Sequence, residues 1–315
     1  MTHSKIDLHA HYLSPGYKKF LKEQFNDMGD GVKTPDYSID TTLEIMAQTN
    51  IDYSVISISS PHINTGEKGS TIELAEEVNE YAATQHQNYA DKIGFFASLP
   101  LPYVDESLKA IDKALDQQDA AGFTLPTNSR GTYLGDPKLD SIMQKLNERH
   151  ALVALHPNAP GTIDQTVTSQ IPAPIMEFFF DTTRTVLNML QNGIFKRYPN
   201  IKFIIPHAGA VLPIIAGRVK LAQSLNPNLT DDQVDINSVL SQQYFDVAGA
   251  VLPQQLPALL ELIDPDRLVY ASDTPYTPTP AVKILSNQLE ETGLLSDAMK
   301  DKIFKTNAQK LLNLK

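Results

Sequence analysis

Two histidines, two positions apart, end the first apolar run of the chain, Asp7-Leu8-His9-Ala10-His11. In an extended strand, residues i and i+2 point the same way, so both imidazoles face one side. Neutral imidazoles are the commonest ligands of divalent transition metals. The same pair would also serve as two hydrogen-bonded histidines of an ordinary strand, so other residues must decide. Three further apolar runs end in groups of similar chemistry: His156 closes Leu152-Val153-Ala154-Leu155, His207 follows Ile204-Ile205-Pro206, and Asp273 follows Tyr270-Ala271-Ser272. Any one of these alone is an ordinary strand-end hydrogen-bonder. Four such coincidences are hard to produce by packing alone.

The elements that would bring them together recur along the chain as a short apolar run, a polar loop and a helical pattern. The runs are Ile6–His9, Ser54–Ser59, Gly94–Ser98, Gly122–Leu125, Leu152–His156, Phe203–Pro206, Tyr244–Val247 and Leu268–Ser272. They lack polar/apolar alternation, as expected of parallel strands buried on both faces. Between them apolar residues recur three or four apart, as in Leu108/Ile111/Leu115, Val186/Leu187/Leu190/Ile194 and Leu256/Leu259/Leu260/Ile263. Eight strands alternating with helices predict an α/β chain folded as a (β/α)8 TIM barrel, one domain over residues 1–315. A doubly wound open sheet is the rival, but no Gly-rich phosphate fingerprint follows any strand. Two segments exceed a tight connection, 12–38 and 157–183. In a barrel both rise from the C-terminal rim, where active sites form.

Composition narrows the function classes. The 315 residues carry a net charge of −11, which argues against nucleic acid or an anionic membrane as partner. No apolar run approaches the roughly 18 residues of a membrane span, and the N-terminal residues lack the apolar core of a secretion signal. There is no cysteine, which fits the reducing cytoplasm and leaves His and carboxylate to hold any metal.

The strand-end set resembles the amidohydrolase superfamily, marked by H-x-H on strand 1, His on strands 5 and 6, and Asp on strand 8. Gly122–Asn128, Leu134-Gly135-Asp136-Pro137, Asp181-Thr182-Thr183-Arg184, His207–Ala210 and Ala271–Pro275 are similar to its aminocarboxymuconate-semialdehyde decarboxylase-like branch, and to 6-methylsalicylate decarboxylase-type members in particular. The resemblance covers essentially the whole chain. It implies a metal-dependent carboxy-lyase with one divalent ion on His9, His11, His156 and Asp273. Many relatives bridge two metals with a carbamylated Lys on strand 4, but here that strand reads Gly122-Phe123-Thr124-Leu125. Three nitrogens and one carboxylate suit zinc, with manganese or iron as alternatives. The resemblance also makes His207, with Asp273, the proton carrier for non-oxidative decarboxylation of a hydroxylated aromatic or similar unsaturated carboxylate. A hydrolase of a lactone or amide on the same ligands is the alternative reading, and a barrel that has lost catalysis a third.

An acidic protein that binds a carboxylate needs placed cations. Of the six arginines, Arg267 and Arg197 precede strands at the bottom face, Arg149 sits late in a helix, and Arg130 is in the loop after strand 4. Arg184 is expected at the rim, pairing with Asp181 or contacting substrate. Arg218 lies eleven positions after His207, too far along its helix to bend back into its own site. The resemblance implies that it enters the neighbouring subunit's pocket in a homodimer. The semialdehyde decarboxylases place an Arg before strand 2, whereas Thr34–Asp40 has none, which points to a monocarboxylate. Tyr12, His62, Phe178–Phe180, Asp246 and Tyr276 complete the candidate pocket residues.

Overall fold

The computed structural model describes residues 3–163, 166, 171–226 and 235–314, so part of the long segment after the fifth strand lies outside the described residues. Eight parallel strands form one sheet in strict chain order. They are β1 Lys5–His11, β2 Ile51–Ser57, β3 Ile93–Ser98, β4 Gly122–Pro126, β5 Leu152–His156, β6 Lys202–Ile205, β7 Tyr244–Asp246 and β8 Leu268–Val269. The sheet curls so that its last strand meets its first. The Leu8 N–H donates to the Tyr270 carbonyl (3.1 Å), the Asp273 N–H to the His9 carbonyl (2.8 Å) and the His11 N–H to the Thr274 carbonyl (2.6 Å). Helices pack around the outside, and the chain has the (β/α)8 TIM-barrel fold.

The eight apolar runs are the eight strands, with shifted ends. β2 starts at Ile51 and stops at Ser57, short of the expected Ser59. β8 is only two residues long, because Tyr270 turns its N–H to Ile303 of the C-terminal helical segment instead of continuing the ladder (2.9 Å). The residues carrying Asp273 are therefore positioned by hydrogen bonds to β1.

Two apolar layers hold the barrel. Inside it, Ile6, Leu8, Val55, Phe96, Leu152, Ile204 and Val269 form a cluster closed by Ala308 and Leu311 of the last helix. Outside, a larger cluster joins the other strand faces to the helices, including Phe95, Phe123, Val153, Phe203 and Phe245. Burial of each such side chain stabilises by roughly 1.5–3 kcal/mol. The pairing of β1 with β2 slips between Asp7 and Ala10. That irregularity is why Leu8 and His9, neighbours in sequence, both serve the interior: Leu8 in the apolar plug, His9 one step higher at the rim.

Candidate metal centre and active site

Three imidazoles converge at the C-terminal mouth of the barrel. His9 and His11 come from β1 and His156 from the end of β5, and their ligating nitrogens lie within 4.8 Å of one another. Each has its Nδ1 held from behind. His9 Nδ1 meets Asp246 Oδ2 at 2.8 Å, His11 Nδ1 the Ser57 carbonyl at 3.3 Å, and His156 Nδ1 the Pro157 carbonyl at 2.8 Å. Such outer partners fix the tautomer and leave Nε2 for a metal. His9 Nε2 is buried and has no hydrogen-bond partner. Asp273 reaches over the cluster, its Oδ1 lying 3.1 Å from His11 Nε2 and 3.7 Å from His9 Nε2. Three inward nitrogens, one carboxylate and an orphaned buried imidazole nitrogen fit a divalent cation.

The electrostatics agree. Burial holds His156 well below the usual imidazole range, with the neighbouring histidines adding to the effect, and burial likewise lowers His11. Both are in the neutral form that offers a lone pair. Burial opposes charge on His9 as well, but Asp246, helped by Asp273 and Asp7, outweighs it and pushes His9 up to about 9. Burial would raise Asp273, yet the imidazoles around it, His11 first, hold it well below the usual carboxylate range. The proton on His9 stands where a cation would sit.

His207 stands beside this cluster. Its Nε2 is 4.0 Å from Asp273 Oδ2, and its ring centroid is 5.3 Å from that of His9. His207, Ala208 and Gly209 have φ of 54°, 50° and 77°, three consecutive residues in the left-handed region. Such a conformation costs non-glycine residues free energy and persists only where the surroundings enforce it. Here the His207 N–H donates to Asp246 Oδ1 (2.8 Å), and the Gln255 side chain donates to the His207 carbonyl (3.1 Å). Asp246 thus steers both His9 and His207, a double duty that its position on β7 alone did not reveal.

A cavity of about 420 Å³ opens above these groups, with His156, His207 and Asp273 on its floor and Val32, Ile175, Phe178, Phe179 and Tyr276 among its walls. The Tyr276 ring is 5.6 Å from His11, and the Phe179 ring 5.8 Å from His207. Asp30, Ser59 and Ser60 add polar groups that belong to no motif. Apolar and aromatic walls with few polar groups suit a small planar ligand.

Other candidates lie elsewhere. Tyr12 follows the H-x-H motif but faces outward: it is fully buried, its hydroxyl donates to the Val78 carbonyl (2.9 Å), and its ring stacks on Tyr81 at 5.7 Å. It is packing, not pocket. His62 is 5.1 Å from the His156 ring yet lines a neighbouring cavity. Arg184 donates to the fully buried Asp181 (3.0 Å), which also accepts from Tyr133 and Thr127, both at 2.5 Å. That network braces the end of β4, so Arg184 takes the pairing role. Asp246 acts from behind His9 and does not line the cavity. Arg218 is exposed on the helix Leu212–Leu225, with no hydrogen bond or ion pair among the described residues.

The amidohydrolase family profile matches residues 6–314, and the chain belongs to that family. It is 30% identical over 302 residues to a 6-methylsalicylic acid decarboxylase from Penicillium expansum, covering 91% of this chain and 90% of that one. A crystal structure of an amidohydrolase II superposes with a TM-score of 0.95 at 46% identity, covering 98% of this chain and 100% of the other. The 5-carboxyvanillate decarboxylase of Novosphingobium aromaticivorans, solved with manganese and 4-hydroxy-3-methoxy-5-nitrobenzoic acid, shares the fold with a TM-score of 0.88 at 19% identity, covering 99% and 96% of the two chains.

Asp246→Asn is expected to weaken metal binding by about 10–100-fold. The Asn oxygen still accepts backbone N–H groups, but its amide would donate to His9 Nδ1 and force the proton onto Nε2, the wrong tautomer for a ligand. Metal titration followed by elemental analysis checks this, and wild-type affinity in the variant would show that Asp246 does not set the tautomer.

Proposed function

We propose that this chain is a metal-dependent, non-oxidative decarboxylase of a hydroxylated aromatic monocarboxylate, with one site per barrel in a single domain. His9, His11, His156 and Asp273 hold one divalent cation, zinc by the donor set, with manganese or iron compatible with it. When bound, the cation supplies fixed positive charge that orients and polarises the substrate's carboxylate and neighbouring oxygen.

The chain's own groups do the rest. Phe178, Phe179 and Tyr276 hold the ring and exclude water. His207 carries a proton at Nε2 towards the ring carbon that bears the carboxylate, and the Asp273 carboxylate stands 4.0 Å from that nitrogen. As the C–C bond breaks, its electron pair stays on the ring carbon, which keeps the proton while CO₂ leaves. The observation that carries this reading is His207 standing beside, not within, the three-imidazole cluster, on the floor of an aromatic-walled cavity. The 6-methylsalicylic acid decarboxylase similarity supports the same reaction class.

Incubation of zinc- or manganese-loaded protein with 6-methylsalicylate should release CO₂ and the decarboxylated phenol in equal amounts. Turnover of lactones or amides without CO₂ from any hydroxybenzoate would favour the hydrolase alternative, which no feature of the site singles out.

A homodimer completes the proposal. Ile214, Leu221 and Leu225 are 67%, 60% and 79% exposed on the helix that carries Arg218. An apolar stripe of this kind is covered in many soluble proteins by a partner, and a second copy would present Arg218 to the neighbouring cavity. Mixing Arg218→Ala with His207→Ala subunits should then regenerate one competent site per mixed dimer. Mixed dimers as inactive as either parent would place Arg218 outside the shared site. The chain contains no cysteine and, among the described residues, no helix long and apolar enough to cross a membrane, which together support a cytoplasmic enzyme.

A further inference from the structure

A second cavity, about 580 Å³, lies beside the first at the ends of β2, β3 and β4. The two share Asp30, and the Ser60 hydroxyl bridges Asp30 to Asn158 (2.8 Å to Oδ1) across the partition between them. Two polar side chains lining the second cavity are buried and lack a hydrogen-bond partner: His62 Nε2, in a residue 3% exposed, and Ser98 Oγ, in a residue 2% exposed. Unsatisfied buried polar atoms are rare and each calls for an explanation. Two in one cavity, from different strand ends, point to a ligand that supplies what they lack.

The rim is basic. Arg130 lines the cavity and is exposed, and it meets no carboxylate among the described residues. Its guanidinium is aimed by bonds to neutral groups, Nε to the Asn64 carbonyl (3.1 Å) and Nη2 to Gln24 Oε1 (3.3 Å). Gly66, with φ of 93°, packs so close that a Cβ there would lie 3.2 Å from Arg130 Cζ. An aimed cation with no ion-pair partner among the described residues is open to pairing with a carboxylate.

We propose that this cavity is a second ligand site, separate from the metal centre, that takes a small hydroxylated monocarboxylate. The carboxylate meets Arg130 at the rim. The hydroxyl reaches His62 Nε2 and Ser98 Oγ at the floor, where it both donates and accepts. Nothing in this assignment requires the metal or the decarboxylation reading.

Calorimetric titration of the purified full chain with 3-hydroxybutyrate tests it, with butyrate and 1,3-butanediol as probes lacking one group each. Saturable binding is expected, weakened about tenfold by Arg130→Gln and about threefold to tenfold by Ser98→Ala. Phe179→Ala, which opens the aromatic wall of the metal-centre cavity, should leave it unchanged, and both single-group probes should bind more weakly. Ser98→Ala removes only an unpartnered hydroxyl, so an unchanged melting temperature separates lost contact from lost fold. No saturable binding of 3-hydroxybutyrate overturns the proposal. So does binding that Phe179→Ala weakens and Arg130→Gln leaves intact, since the probe would then occupy the metal-centre cavity.

Discussion

His207→Ala is expected to retain its divalent metal at wild-type stoichiometry while losing about 10²–10⁴-fold in CO₂ release, the range for removal of a general acid. The geometry separates the two properties. His207 is not one of the three converging imidazoles, and the site it touches in the cluster is Asp273 Oδ2, at 4.0 Å. Removing its ring therefore takes no ligand away. Alanine at φ of 54° carries some backbone strain, so His207→Asn is the companion variant, because Asn tolerates the left-handed region better. Both should fail in kcat with KM little changed, because the imidazole acts on the ring carbon in the transition state and not on the carboxylate in the bound state. Elemental analysis beside steady-state kinetics decides the matter. A His207→Asn protein that arrives without metal would make His207 a ligand and dissolve the division of labour.

Much of this was legible in the sequence, for one physical reason. Parallel barrel strands are buried on both faces and so appear as unbroken apolar runs, and a charged or imidazole group at the end of such a run stands out. His9, His11, His156, His207 and Asp273 all stand out in this way along the chain. Pocket walls have no comparable signal. Tyr12 sits next to His11 in sequence, but neighbours in a strand face opposite ways, and Tyr12 joins the helix layer outside the barrel. His62 is close to the centre yet on the far side of a partition formed by Asp30, Ser60 and Asn158, residues whose meeting depends on the path of the first long loop. Arg184 lies three residues from Asp181 on one helix, and its ion pair was foreseeable from that spacing. Asp246 is the instructive case. It closes a strand as the ligands do, but the end of β7 places it behind His9, where a carboxylate orients an imidazole instead of meeting substrate.

His9→Ala should abolish both stoichiometric metal and turnover, and should also destabilise the fold. The third effect follows from what is left behind. His9 and Asp246 are 2.8 Å apart and buried, with side chains 5% and 3% exposed, and each favours the other's charge. Removing one member of such a pair leaves an uncompensated buried charge, at a cost of about 3–5 kcal/mol. Adding Asp246→Asn to His9→Ala should recover part of that loss. The amide oxygen still accepts the His207 and Ala248 N–H groups that now rest on Asp246 Oδ1, at 2.8 Å and 3.1 Å, but it carries no charge. The double variant should therefore melt at a higher temperature than His9→Ala while remaining free of metal and inactive, a non-additive result that a role for His9 in packing alone would not produce. Additive losses in the double variant would mean that the buried carboxylate is stabilised by its backbone donors alone, and that His9 is bound to Asp246 by geometry more than by charge.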